Sequence, residues 1–187
     1  PAYAIDKFTA LGESRYGWTS YLIAAADTRV IGFTPQAFSM LNMQANLLHQ
    51  YQSLGGWSFP FAPYHTDGLP GRLDSPEATE LFSMQDPHTP ALLADLTVPA
   101  LMLRAGNDEF DSIDNGYLYF DDLPGNNKFT WIVENVNHSM TGQDQRLLNT
   151  LHGFLNLIYT DTLPTYTFAM TSDATTASTT ISLSGAP

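Results

Sequence analysis

The stretch K-F-T-A-L-G-E-S-R-Y-G-W, residues 7–18, decides how this chain is read. A short apolar, β-prone run, residues 7–11, passes directly into Gly12-Glu13-Ser14. Residues 15–26, R-Y-G-W-T-S-Y-L-I-A-A-A, then place Trp18, Tyr21, Leu22 and Ala25 at helical spacing. Asp27-Thr28-Arg29 breaks that helix, and V-I-G-F-T at 30–34 reads as a second buried strand, ended by Pro35. The order is strand, turn, helix, strand, with a serine flanked by glycines on the turn.

Beyond Pro35, residues 36–99 are rich in Gln, Met, Tyr, Trp, Gly and Pro and offer no strand of comparable quality. They read as helices and loops. A helix is expected over 40–51, and another begins at Ser75-Pro76-Glu77, with Ser as N-cap and Pro in the first turn. An insertion of this kind between two strands is expected to lie over the site as a lid or pocket wall.

Alternation then resumes. A-L-M-L-R-A at 100–105 reads as a strand ending in Gly106-Asn107-Asp108. A helix near 115–120 leads through Leu123-Pro124-Gly125 to a strand at 129–133, and Asn135-Val136-Asn137-His138 follows. A final amphipathic helix over 143–159 sets Leu147, Leu148, Leu151, Phe154, Leu155 and Ile158 on one face. Alternating strands and helices predict an α/β fold built on a parallel, doubly wound sheet over 1–162, with the lid insertion at about 36–99. From residue 163 Thr, Ser and Ala dominate, and 163–187 reads as the start of a small all-β domain or a tail.

A serine on a strained strand-to-helix turn, with glycines where strand and helix approach, is the nucleophile elbow of the α/β-hydrolase fold. Here the form is G-x-S-x-x-G, with the second glycine one residue late. The other members of such a site follow in chain order as acid and then base, each on the loop after a later strand. Asp108 and His138 stand at those places. Ser14 is therefore the expected nucleophile, Asp108 the acid and His138 the base. The backbone N–H of Arg15 is the expected oxyanion donor. A second donor belongs to the loop after an earlier strand, upstream of Pro1, so this stretch is expected to be the C-terminal half of its fold. The N-terminal half of the same protein would then be its partner. Duller roles exist for each residue: an N-cap for Ser14, a turn residue for Asp108 with Asp111 and Asp114 as rival acids, and a cap or core contact for His138.

His49, His65, His88 and His152 fit surface or packing roles better. A metal site from His49, His65 and Asp67 has no recognised ligand spacing, and neither metal nor cofactor is expected. Trp57 and Tyr64 are the expected substrate-binding aromatics, with Trp18, Phe59 and Phe61 as further candidates for a pocket wall. Seven Lys+Arg against 19 Asp+Glu give a net charge of −12, which repels a polyanion, so nucleic acid is excluded as a partner. The 43% hydrophobic content supports a packed core, while no apolar run reaches membrane-spanning length. The absence of cysteine removes disulfides, thiolate nucleophiles and Cys-based metal sites. A low-Lys, Ser/Thr-rich acidic chain that opens on Pro1 without an initiator Met is expected to be a piece of a longer, secreted or extracytoplasmic protein.

Several stretches together carry a resemblance. G-E-S-R-Y-G-W (12–18), L-N-M (41–43), H-Q-Y-Q-S-L-G-G-W-S (49–58), Q-D-P-H-T (85–89), A-G-N-D-E-F (105–110), Y-F-D-D-L-P-G (119–125) and V-N-H-S (136–139) resemble the PhoPQ-activated pathogenicity-related protein family, which includes autocrine proliferation repressor proteins. The resemblance runs from about residue 8 to 155. It implies an α/β-hydrolase core, usually exported and followed by a small β-sandwich, with a delayed elbow glycine and with Ser14, Asp108 and His138 at the matching positions. The expected activity is serine-hydrolase cleavage of an ester or peptide bond in a small-molecule ester or peptide substrate. The competing expectation is a silent signalling, binding or structural protein on the same scaffold.

Overall fold

The computed structural model describes residues 4–125, 127–162, 166–173, 175 and 178–185. Strand β1 (Phe8–Glu13) leads into α1 (Arg15–Ala26) and then β2 (Val30–Gln36). The chain next forms α2 (Met43–Leu54), α3 (Ala62–Thr66), α4 (Pro76–Gln85) and α5 (Pro90–Leu93), with short 3-10 turns at Phe59–Phe61 and Pro70–Arg72. Strand β3 (Ala100–Ala105), a 3-10 turn at Asn115–Leu118, β4 (Lys128–Val133) and α6 (Asp144–Thr160) complete the core. The four strands form one sheet in the order β1-β2-β3-β4, and each neighbouring pair is parallel.

Both faces of that sheet are covered. Strand β3 alternates, sending Ala100 and Met102 to one apolar cluster and Leu101, Leu103 and Ala105 to the other. The first cluster gathers Tyr21 and Ala24 of α1 with Phe33, Phe38, Leu96 and Tyr119, and the Tyr21 ring meets Phe33 edge-on at 5.0 Å. The second joins Val133, Val136 and Met140 to Leu147 and Phe154 of α6. Helices thus pack on opposite faces, which is why the strands read as nearly continuous apolar runs. Gly32, in the middle of β2, leaves the space in which Ile158 of α6 sits; a Cβ there would collide with the isoleucine side chain.

Several expectations need correction. Strand β2 does not end before Pro35 but runs to Gln36. The β2–β3 ladder has partners only at Phe33 and Gln36, and Pro35, which has no N–H to give, falls in the gap between them. Helix α2 begins at Met43 rather than residue 40, because the Asp86 carboxylate, far along the chain, accepts the backbone N–H groups of Asn42 (3.1 Å) and Met43 (2.6 Å) and sets the start there. Leu148 does not join the buried face of α6: it is 59% exposed, lying about 100° around the helix from buried Leu147. The element near 115–120 is a single 3-10 turn. By contrast, Ser75 caps α4 as expected, its hydroxyl accepting the Ala78 N–H at 3.1 Å.

Of the tail, residues 163–165, 174, 176–177 and 186–187 lie outside the described residues. The remainder forms one antiparallel pair, β5 (Tyr166–Asp173) with β6 (Ser178–Gly185), as a separate two-stranded sheet. No helix among the described residues is long and apolar enough to cross a membrane.

Candidate active site

The turn between β1 and α1 is tight enough to dictate its own sequence. A Cβ on Gly12 would strike the Tyr16 carbonyl, and one on Gly17 would lie 2.9 Å from the Gln36 carbonyl and 3.0 Å from the Phe38 Cβ. The late glycine is therefore the one that faces β2, while Tyr16, in the more usual glycine position, is 67% exposed. Between the glycines Ser14 adopts φ 58 and ψ −125, backbone that a non-glycine residue occupies only under constraint. The constraint is a pair of main-chain bonds: Ser14 N–H to the Gln36 carbonyl at 2.8 Å, and Trp18 N–H to the Ser14 carbonyl at 3.1 Å. Arg15 follows in the first turn of α1, where backbone N–H groups have no intrahelical acceptor.

At the ends of β3 and β4 the two following loops run against each other. Gly106 N–H donates to the Val133 carbonyl at 2.8 Å and Asn107 N–H to the Val136 carbonyl at 2.9 Å, and a Cβ on Gly106 would press on Val133 at 2.9 Å. This carries Asp108 and His138 together. His138 Nε2 lies 2.9 Å from Ser14 Oγ, and Nδ1 lies 2.8 and 3.0 Å from the two Asp108 carboxylate oxygens. Asp108 is buried, and its Oδ1 also accepts the N–H groups of Phe110 at 2.8 Å and Asp111 at 3.2 Å. Ser14, His138 and Asp108 thus form one hydrogen-bonded chain drawn from three separate loops.

The rival acids point elsewhere. Asp111 is buried and accepts the Ser39 N–H at 2.6 Å, while Asp114 pairs with His49 at 3.0 Å. Burial, together with the charge of Asp108, raises the Asp111 carboxyl to about 7. For His138, burial acts to lower the pKa, but the hydrogen bond and charge of Asp108 and the charges of Asp111 and Glu109 prevail, and the imidazole is raised above 6.5.

His88 pairs with Asp122 at 2.9 Å. His65 and His152 are exposed. The trio His49, His65 and Asp67 is not assembled, and no cluster of three or more His, Cys, Asp or Glu among the described residues is arranged to hold a metal ion. Trp18 stacks on Phe38 at 5.8 Å and donates its indole N–H to the Gln85 carbonyl at 2.7 Å. Phe59 is 78% exposed. Trp57 and Tyr64 each flank Phe61, at 6.0 and 5.5 Å, and the aromatic series continues from Phe61 through Phe110 at 5.9 Å to the His138 ring at 4.5 Å. Phe110 and Glu109, whose carboxylate accepts the His138 backbone N–H at 2.9 Å, are contacts of the histidine that sequence reasoning did not single out. Their signals in the sequence were their place beside Asp108 and inside the A-G-N-D-E-F stretch.

Solved structures support the fold. The chain superposes on a serine hydrolase involved in carbazole degradation with a TM-score of 0.52 at 17% identity, covering 83% of this chain and 66% of that one. It superposes on puromycin hydrolase at 0.58 and 17%, covering 81% and 22%. On the acylaminoacyl peptidase of Pyrococcus horikoshii the values are 0.56 and 13%, covering 83% and 24%. At these identities the likeness establishes an α/β-hydrolase-like fold and nothing of substrate. In sequence, the chain is 30% identical over 171 residues to autocrine proliferation repressor protein A of Dictyostelium discoideum, matching 90% of this chain but spanning only 34% of that relative. The family model for the PhoPQ-activated pathogenicity-related protein matches residues 1–187, and the chain, with its hydrolase-like sheet and its delayed elbow glycine, belongs to that family.

Proposed function

We propose that the protein carrying this chain is a serine hydrolase that cleaves an ester or peptide bond through an acyl-enzyme. The observation that carries the reading is the chain Ser14 Oγ, His138 Nε2, His138 Nδ1, Asp108, with every link between 2.8 and 3.0 Å, on a turn held in a constrained backbone state. With the imidazole proton on Nδ1 and bonded to Asp108, Nε2 offers its lone pair to the serine hydroxyl. Ser14 Oγ attacks the acyl carbon as its proton passes to Nε2. The carbonyl electrons move onto oxygen, beside the Arg15 N–H. When they return, the bond to the leaving group breaks and the leaving group takes the proton from Nε2. Water then repeats the sequence on the acyl-serine, releasing the acid and restoring Ser14.

In this reading the aromatic series from Trp57 and Tyr64 to Phe110 forms one wall for the apolar part of the substrate. The segment between β2 and β3 acts as the lid, and 163–187 belongs to a second, all-β unit. One oxyanion donor is too few. The other comes from the rest of the longer protein, which also covers the edge of β1 that no strand pairs among the described residues, where exposed Leu11, Tyr16 and Ile23 line a cavity of about 320 Å³. Activity therefore needs that remainder. The low-Lys, Ser/Thr-rich, acidic composition fits a secreted or extracytoplasmic protein.

A second reading rests on the name of the Dictyostelium relative, a repressor of proliferation: a signalling or binding protein that keeps the scaffold without using its chemistry. A fluorophosphonate probe separates the two. Labelling of the full-length protein at Ser14, abolished in Ser14→Ala, supports the enzyme. An unlabelled Ser14, with a biological effect that survives Ser14→Ala, overturns it.

A further inference from the structure

His138 is held at a second point besides its ring. Its backbone N–H, beyond the last main-chain bond between the two loops, donates to Glu109 Oε2 at 2.9 Å. Glu109 is itself fixed, since its carbonyl accepts the Ser58 hydroxyl from the segment between β2 and β3. Its neighbours are fixed too: Asp108 takes the Phe110 N–H, and the Phe110 carbonyl accepts the Gln50 side-chain amide. The strand pairing of β3 with β4 thus continues past both strand ends, through Gly106 and Asn107, and its last rung is a side chain.

We propose that Glu109 is a positioning residue, which fixes the main chain of His138 against the loop of Asp108 so that two consecutive carboxylates grip one histidine, at its ring and at its backbone. The inference rests on the acyl-transfer reading. The loop after β4 needs such a tie, because Asn135 just before it takes φ 58 and Met140 just after it φ 50, leaving a run of turns with no regular ladder of its own. An error of an ångström at Nε2 in a loop of this kind costs up to about 100-fold in rate. The charged groups acting on the imidazole are Asp108, Glu109 and Asp111, and the charge of Arg104 of β3 acts in turn on Asp111. Glu109 therefore acts both as acceptor and as charge, and two variants separate these.

Glu109→Gln keeps a carbonyl oxygen for the His138 N–H and removes only the charge. Glu109→Ala removes both. The test compares wild type and both variants in the full-length protein, by turnover of a p-nitrophenyl ester across pH and by NMR titration of the His138 ring. Glu109→Gln is expected to turn over close to wild type above neutral pH, with its His138 titration and its acidic rate limb moved to lower pH. Glu109→Ala is expected to lose kcat on the order of 10- to 100-fold with KM unchanged. The proposal is overturned if Glu109→Ala matches wild type in both measurements, or if Glu109→Gln is as impaired as Glu109→Ala. Should Glu109→Ala not fold, hydrogen exchange of the His138 backbone N–H in wild type and Glu109→Gln decides: slow exchange in both supports the proposal, and exchange in wild type as fast as an unbonded loop amide overturns it. A wild type that turns over no ester defeats the acyl-transfer reading instead. Glu109 is then judged on the exchange of the His138 backbone N–H, where exchange as fast in wild type as in an unbonded loop amide counts against it.

Discussion

In the proposed reaction His138 must be neutral at Nε2 to accept the Ser14 proton, and its surroundings favour the charged ring. The acidic limb of kcat/KM is therefore expected above pH 6.5, the ordinary histidine value. Replacing Asp108 by Asn removes the main raising partner and the acceptor that fixes the tautomer. The limb should move down while kcat falls by about 10⁴, a pair of changes read from one pH–rate profile. Asp111 makes a different prediction. Its carboxyl is 3.8 when free and about 7 when folded, so between those values the unfolded chain has lost a proton that the folded chain retains. The stability it contributes is full below 3.8 and is lost as pH rises to about 7. Melting temperature should fall across that window in wild type and much less in Asp111→Asn. Ser14, Asp108 and His138 were legible in the sequence because each follows a recognisable strand, and that placement depends only on local pattern. Asp108 was also preferred to Asp111 and Asp114 in the sequence; what the sequence did not contain is where the rivals go, Asp111 to the Ser39 N–H and Asp114 to His49.

Helix α2 shows what local pattern misses at the next scale. Asn42, in left-handed backbone, provides no side-chain cap; the cap is the buried Asp86 carboxylate, which also accepts the His88 N–H at 2.9 Å. One side chain thereby satisfies three main-chain donors and joins the L-N-M stretch to the Q-D-P-H-T stretch. Asp86→Ala leaves those donors unpaired in a buried place and should cost about 2–3 kcal/mol, measurable by denaturant titration against Asp86→Asn, which retains one acceptor oxygen. Where a boundary is set by neighbours in sequence, as for both ends of α1 and for the start of α4 at Ser75 and Pro76, it was readable to the residue. Where the end is set from far away, as for α2, or where a proline falls in a ladder gap, as in β2, the sequence around the boundary does not contain the cause.

Across the whole molecule, repulsion outweighs pairing. The net charge is −12, and among the described residues the ion pairs that join Lys or Arg to an acid are Arg29–Asp27 and Arg146–Glu134, both at the surface. Exposed pairs of that kind contribute little, whereas like charges on one small body act against folding. Added sodium chloride at pH 8 should raise the melting temperature, and a fall would mean that the pairs dominate. The parallel α/β class was legible because buried strands and amphipathic helices differ in period. The assignment of α6 to β2, two strands away from the one it follows, was not, because it turns on a single absent methyl. Ile158 sits in the space that Gly32 leaves on the face of β2, so α6 is seated on the second strand. The base loop leads straight into that helix. The loop that carries His138 is therefore anchored, through α6, on a strand two places away in the sheet, and what holds it there is a gap in β2.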